Sequence, residues 1–316
     1  NQGLRSTNWS TPIVANETYD WYIEESRIRG GYNNTTVDFG VKAYIVEDND
    51  SQQRRGNSLI YSGIYNSRTG VNNTNQFSVA EEITRSVDPI VGTIQKLFAE
   101  DTNLTIFQER KVNVSLIDKD AIYTAEGVGL TTTGVQVIGA TTPGIGTNPE
   151  SFATYGFTKY FVDKNRNAVL KIEGSQIQEI SNSGMTDFFR DQLSAVPESG
   201  AILGCYDVYN QNYVLSIQPT GRFVDDANFK TITWDERNKG WTSFYTYKPD
   251  TMFSVRSRFY STKLVAGVSG LYTHYTNQDR NNFYGKKSPS SVQFISNPVP
   301  SQIKTFKTIN YEGSNG

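Results

Sequence analysis

The chain holds one histidine, His274, and one cysteine, Cys205, so any reaction that needs imidazole or thiolate must run through a single side chain. Structural zinc needs four Cys or His ligands and a disulfide framework needs paired cysteines, which excludes both within this chain. His274 lies in the alternating run Leu271-Tyr-Thr-His-Tyr-Thr276 with no Gly-x-Ser-x-Gly elbow to accompany it, and reads as a hydrogen-bonded strand residue rather than a general base. Cys205, between Gly204 and Tyr206, reads as a small buried residue. Glycosidase chemistry needs two carboxylates facing each other across a substrate, whereas the adjacent acids Glu24-Glu25, Glu81-Glu82 and Asp225-Asp226 point apart in helix and strand alike. Asp187 and Asp191 share a helix face with Arg190 beside them, the pattern of a solvated surface. Two glycine-rich stretches fail as phosphate loops. Gly139–Gly146 contains Pro143 and no following Lys-Ser/Thr, and Gly127–Gly134 misses the dinucleotide spacing. No catalytic, cofactor-binding or metal-ligating residue is assigned, and no cofactor is expected.

Composition points the same way. Of 316 residues, 36% are hydrophobic, below the usual ~45–50%, yet 19 Tyr and 17 Phe raise the aromatic share to 13%. Thirty Lys and Arg against 32 Asp and Glu leave a net charge of −2, without the basic excess by which proteins grip phosphates. No charged stretch leads into an apolar run near Asn1, and apolar runs fall far short of the ~20 residues that span a bilayer, so neither signal peptide, membrane helix nor membrane partner is expected. The start at Asn1 and the end in Gly313-Ser-Asn-Gly316 raise the expectation of a segment of a longer polypeptide. Asn-x-Ser/Thr triplets recur, as composition alone dictates in a chain this rich in Asn and Thr.

Residues 1–36 are polar with isolated aromatics and read as an extended or turn-rich arm, in which Trp9, Trp21 and Tyr22 are candidates for docking on another surface. Residues 37–316 read as a β domain. A strand is expected over 37–46, helices over 77–87 and 184–196, and hairpins over the remainder. Strands 94–99 and 104–108, 159–162 and 168–172, 202–208 and 213–217, and 231–234 and 240–245 flank turns rich in Asp and Asn, which bond locally to the backbone or adopt left-handed conformations. A last pair, 253–260 and 263–272, is expected to turn at Ser261-Thr262. The fold expected is all-β, mainly antiparallel hairpins with two short helical insertions, in an irregular β-propeller-like arrangement that this chain need not complete. Asp163 and Asp235 are candidate hairpin residues. Thr233–Thr242 resembles the Asp-box of sialidase propellers, but Gly240 stands five residues after Asp235 where the box has two, so Trp234 and Trp241 read as clamps on a hairpin.

An ordered series of motifs carries a family resemblance. It runs through Asn75-Gln-Phe77, Asp88-Pro89, Gly92-Thr-Ile-Gln-Lys-Leu97, Leu104–Lys111, Asn148-Pro-Glu-Ser-Phe-Ala153, Tyr160–Arg166, Ile180–Met185, Trp234-Asp-Glu236, Trp241-Thr-Ser-Phe244, Lys304-Thr-Phe306 and Tyr311-Glu-Gly313. In this order the series resembles the muzzle proteins at the distal end of crAss-like and related short-tailed phage tails, similar in role to propeller-bearing tail-accessory factors. The resemblance implies a noncatalytic virion protein, assembled in the host cytoplasm, that forms a ring with copies of itself and closes or gates the DNA channel. It implies as partners the remaining segments of the same longer polypeptide, tail adaptor or ring proteins, and DNA in transient passage. The alternative, motivated by the aromatic content, is a propeller that binds or hydrolyses bacterial surface glycans.

Overall fold

The structure, a computed structural model, describes residues 28–29 and 55–308 except 64, 69, 79–83, 101–102, 124–128, 142, 175, 266 and 294–298. The chain divides into two compact units, Asn1–Thr142 and Pro143–Gly316. Trp9, Trp21, Tyr22 and the strand expected over 37–46 lie outside the described residues.

In the first unit, β1 (Ile28–Arg29) runs parallel to β5 (Phe77–Ser78), β2 (Ser58–Ile60) antiparallel to β6 (Thr84–Ser86), and β3 (Tyr65–Asn66) antiparallel to β4 (Val71–Asn72). The helix expected over 77–87 is therefore corrected at both described ends, which are strands; 79–83 lie outside the described residues. Three apolar residues at four-residue steps are a weak local preference, and a remote partner overrides it. Ser58 pairs with Ser86, their hydroxyls 2.9 Å apart, and the Val87 N–H donates to the Asn57 carbonyl at 2.8 Å. A four-stranded antiparallel sheet follows, β7 (Ile94–Glu100), β8 (Asn103–Gln108), β9 (Val112–Tyr123) and β10 (Gly129–Thr141), with its strands adjacent in chain order. The Gln108 amide, fully buried, donates to the carbonyls of Asp88 (2.9 Å) and Gly92 (2.8 Å) and accepts from Asn113 (2.6 Å), so its cost of burial is met by bonds. Glu109 reaches back to Thr93, accepting from its N–H at 3.0 Å and its hydroxyl at 2.7 Å.

The second unit repeats the up-and-down order. One sheet runs β11 (Ala153–Tyr155), β12 (Thr158–Asp163), β13 (Ala168–Glu173), β14 (Gln176–Glu179); the next runs β15 (Ala201–Asp207), β16 (Asn212–Gln218), β17 (Lys230–Asp235), β18 (Gly240–Tyr245). A third has three strands, β19 (Thr251–Val255), β20 (Arg258–Val265) and β21 (Val268–Thr273), and a small hairpin joins β22 (Asn282–Phe283) to β23 (Lys286–Lys287). The expected helix over 184–196 is α1 (Thr186–Ser194). It puts Phe189 and Leu193 into the core with Val196, while Asp187, Arg190 and Asp191 pair with one another in solvent. Among the described residues no helix is long and apolar enough to cross a membrane. The fold is all-β, mainly antiparallel, with one α-helix in the described residues.

Three hairpins share one device. Asp163, Asp207 and Asp235 end their strands, and their carboxylates accept from the turn N–H groups of Arg166 (3.3 Å), Tyr209 (2.9 Å) and Arg237 (2.8 Å). Four residues after each Asp, the chain turns left-handed at Asn167 (φ 55°), Gln211 (φ 57°) and Lys239 (φ 47°), and the next residue pairs back with the Asp. The last expected hairpin is corrected: Ser261-Thr262 lie inside β20, and the turn falls at Arg256-Ser257, whose φ of 49° and 61° give the twist that matches two-residue hairpins. Neither Arg nor Ser favours the left-handed backbone that this turn needs; the pairing of Val255 with Arg258 imposes it.

The core of the second unit runs between sheets, joining Tyr160, Val162 and Val169 to Phe189, Ile202, Tyr213, Leu215, Ile232 and Trp234. β15 is the hub, lying beside both β11 and β19, the first strands of the sheets before and after it. Gly204 makes this approach feasible. A Cβ there would stand 2.0 Å from the Ser151 carbonyl oxygen, which already accepts the Tyr213 hydroxyl at 2.7 Å. Gly204→Ala is expected to destabilise the unit by about 2 kcal/mol or more. The control Gly240→Ala, where the nearest atom is 3.7 Å away, should stay within about 0.5 kcal/mol, both read from urea midpoints.

Candidate functional site

The chemistry of this molecule is concentrated at the seams between sheets. At the first seam Glu236, at the tip of the β17–β18 hairpin, receives three donors. Tyr160 of β12 donates its hydroxyl at 2.7 Å, Lys171 of β13 its ammonium at 3.0 Å and Trp234 its indole N–H at 3.0 Å. Burial alone would raise the Glu236 carboxyl; the bonds from Tyr160, Lys171 and Trp234, with the Lys171 charge, reverse this and hold it below the usual carboxylate range. The same burial, reinforced by the carboxylate, pushes the Tyr160 hydroxyl upward, so it stays a donor at neutral pH. Trp241 adds a second tie, its indole N–H donating to the Ile180 carbonyl of the preceding sheet at 3.0 Å.

At the second seam the fully buried Asp207 accepts the Tyr275 hydroxyl at 2.6 Å from beyond β21, while its other oxygen holds the β15–β16 turn. Burial pushes the Asp207 carboxyl up, against these bonds. Ser254 of β19 donates to the Tyr206 carbonyl at 2.6 Å, and Tyr209 and Tyr275 stack with centroids 4.9 Å apart. Stacked rings of Tyr155, Tyr206, Tyr160 and Tyr213 continue the contact through the unit.

Two arrangements have the outline of a reactive site and fail on access or charge. Ser261 Oγ lies 2.6 Å from His274 Nε2, the distance of an activated nucleophile, but Ser261 is fully buried and also bonded to the Tyr284 hydroxyl at 2.7 Å. Burial lowers the imidazole to a pKa of about 4, so it is neutral and structural. A cleft of about 840 Å³ is lined by Lys230, Lys248, Lys263, Lys286, Tyr247 and Phe283. The Lys248 ammonium, deeply buried, is saturated by Asp226 (2.7 Å), Thr220 (3.0 Å) and the Val224 carbonyl (2.7 Å), and Lys263 lies 3.5 Å from Asp225 and 3.9 Å from Asp250. Lys248 and Lys263 thus pin the loop over 220–226. Among the described residues no group of three or more His, Cys, Asp or Glu could hold a metal ion.

Of the residues singled out in the sequence, Trp234 and Trp241 are direct partners across β17–β18 with centroids 5.5 Å apart, and Asp163 and Asp235 organise their turns. The structure brings Trp234, Asp235 and Trp241 together and leaves Asp163 at a separate hairpin end. Glu236, Tyr160, Lys171, Asp207 and Tyr275 carry no local signal, because their partners lie 65 to 76 residues away. What could have found Glu236 and Tyr160 is their presence in the motif series.

Those motifs are what the family comparison finds. A model described as Crassvirus muzzle protein matches residues 41–264, and one described as Crassvirus muzzle protein C-terminal domain matches 278–316. The chain belongs to the Crassvirus muzzle protein family. It is thereby a structural component of a phage virion. No curated protein matches the chain. In this muzzle-family chain the motif residues are fasteners: Thr93 with Glu109, Tyr160 with Glu236, and Trp241 with the Ile180 carbonyl.

Glu236→Ala strands the Tyr160 and Trp234 donors and should cost about 2–3 kcal/mol in urea unfolding, with Glu236→Gln, which keeps an acceptor, losing less. Because the folded carboxyl is depressed, its contribution is present above the unfolded carboxylate value and lost as pH falls through the folded one; Glu236→Gln removes that acid-side dependence. The lone histidine gives a clean second test. His274 ring protons should titrate near pH 4 by NMR, with stability lost as pH falls from 6.5 toward 4, and a midpoint near 6.5 would contradict its burial.

Proposed function

We propose that this muzzle-family chain is a noncatalytic subunit of a ring at the end of the phage tail, which narrows or gates the channel through which DNA leaves. Family membership over residues 41–264 and 278–316 carries the reading. The architecture supports it. Two four-stranded and one three-stranded up-and-down sheets with their first strands side by side have the order of propeller blades, and polar ties at the seams hold the sheets in fixed orientation. The net charge of −2 supports it too, since a wall without a basic stripe lets phosphates pass without gripping them. In this reading the arm over 1–36, with Trp9, Trp21 and Tyr22, docks on an adaptor or ring protein above, and the remaining segments of a longer product complete the domain.

The glycan reading would have to rest on exposed rings such as Phe157, Tyr209 and Phe244, because the two described tryptophans and the central tyrosines are taken up by the fold. Trp234 is buried, Trp241 is packed against Phe189, and Tyr160 and Tyr213 stack within the core. Gold-labelled antibody against this chain should decorate the tail end of purified virions, and a glycan-release assay with the chain should stay silent. Label confined to the capsid, or release of reducing ends, would overturn the proposal.

A further inference from the structure

The sheet of the first unit is uneven in length, and the excess falls in one place. β8 pairs with β9 only from Val112 to Leu116, while β9 and β10 remain paired for seven further positions, from Val135↔Ile117 to Gly129↔Tyr123. The hairpin thus leaves the sheet as a two-stranded ribbon roughly 23 Å long at ~3.3 Å per residue. The register shifts between Val137 and Gly139, where the hairpin is still rooted in the sheet. A bulge there bends the strand and sharpens its twist at the root of the ribbon.

A two-stranded ribbon is marginal by itself in water, because each strand leaves half of its N–H and C=O groups on an open edge. Proteins usually blunt such edges with charge, proline or short length. β10 does none of these. It is the edge strand of its sheet, 13 residues long, and Gly129-Leu-Thr-Thr-Thr-Gly-Val-Gln-Val-Ile-Gly-Ala-Thr141 contains no charged residue and no proline. The other edge of the ribbon, residues 117–123 of β9, likewise has no strand partner among the described residues and contains Asp118-Lys119-Asp120.

We infer that the β9–β10 ribbon is an assembly element completed by the ribbon of a neighbouring copy of the chain, β10 of one subunit pairing antiparallel with β9 of the next. The inference rests on the ring reading and names the surface that closes the ring. A copy is the occupant because the ribbon's two edges are different and complementary. An open β10 edge and an open β9 edge of matching length continue the alternation β9, β10, β9, β10 without a change of direction. Charge selects this order over the symmetric one. β9 against β9 sets Asp118 and Asp120 of two subunits along one seam, whereas β10 offers those acids an uncharged neighbour. Repeated about the axis of a ring, such a head-to-tail contact closes on itself, and the ribbons become a continuous β-wall with no free edge.

The experiment combines mass photometry with amide hydrogen exchange on the full chain over a concentration series. Rings should appear as concentration rises, with slowing of exchange concentrated in residues 117–123 and 129–137. Leu130→Asp with Thr132→Asp, positions that the pairs Leu130↔Ile122 and Thr132↔Asp120 put on the sheet face of Asp118 and Asp120, places new acid beside the neighbour's acids and should weaken assembly roughly tenfold more than Leu130→Lys with Thr132→Lys, because charges on neighbouring strands repel or attract by sign. The melting temperature of the monomer serves as the folding control. Rings whose ribbon amides stay fast overturn this inference and leave the ring reading standing. A chain that stays monomeric at every concentration overturns both, and equal loss in the Asp and Lys variants overturns the β10-to-β9 order.

Discussion

The orientation of sheets in the second unit depends on two carboxylates, Asp207 fully buried and Glu236 partly so, that accept tyrosine hydroxyls in place of water. Glu236 and Asp207 both belong to the middle sheet, and each accepts a phenol from a different neighbouring sheet, Tyr160 on one side and Tyr275 on the other. A buried carboxylate without partners is expensive, and one with two or three short charge-assisted bonds is tolerated only in the geometry that supplies them. The apolar contacts between these sheets are indifferent to small rotations; the phenol–carboxylate bonds are not. They convert a sheet stack that hydrophobic burial would hold loosely into one with a set orientation.

That orientation matters for a virion component. A structural subunit of an assembled particle must keep one sheet from sliding over the next, and in the second unit the phenol–carboxylate ties supply that resistance. The lone cysteine is buried, with its thiol pushed up to about 12 by desolvation, and is inert. The lone histidine is neutral. Lys248 and Lys263, two of the lysines that line the cleft beside β17, are spent on holding a loop. The groups that look reactive in a list of residues are in each case engaged in holding the fold.

Much of the architecture was legible from local pattern. The hairpins at Asp163 and Asp235 could be placed because Asp bonds its own turn, a property that needs no tertiary partner, and the one between β15 and β16 from its asparagines. The helix at Thr186–Ser194 was readable from Phe189, Leu193 and Val196 on one face and from Pro197 beyond its end. The misplacements share a cause. Residues 77–87 carry a faint helical spacing that pairing with a remote strand overrides, and Arg256-Ser257 is a turn only because the strands around it pair. Of the seams, Trp234 and Trp241 were visible as a cross-hairpin pair, but Glu236 sat in an ordinary polar turn and Asp207 was one more residue of the strand over 202–208.

The sequence by itself determined the class of molecule: a charge-balanced, aromatic-rich β protein with alternating strands and Asp-built turns, whose ordered motifs mark its family. These are properties of neighbours in the chain, governed by sterics and bonds a few residues in range. Only the tertiary structure decided which acids are buried, which tyrosines they accept, and where Gly204 lets β15 touch the Ser151 carbonyl. Those choices depend on removing water from between groups far apart in sequence, and desolvation has no local signature.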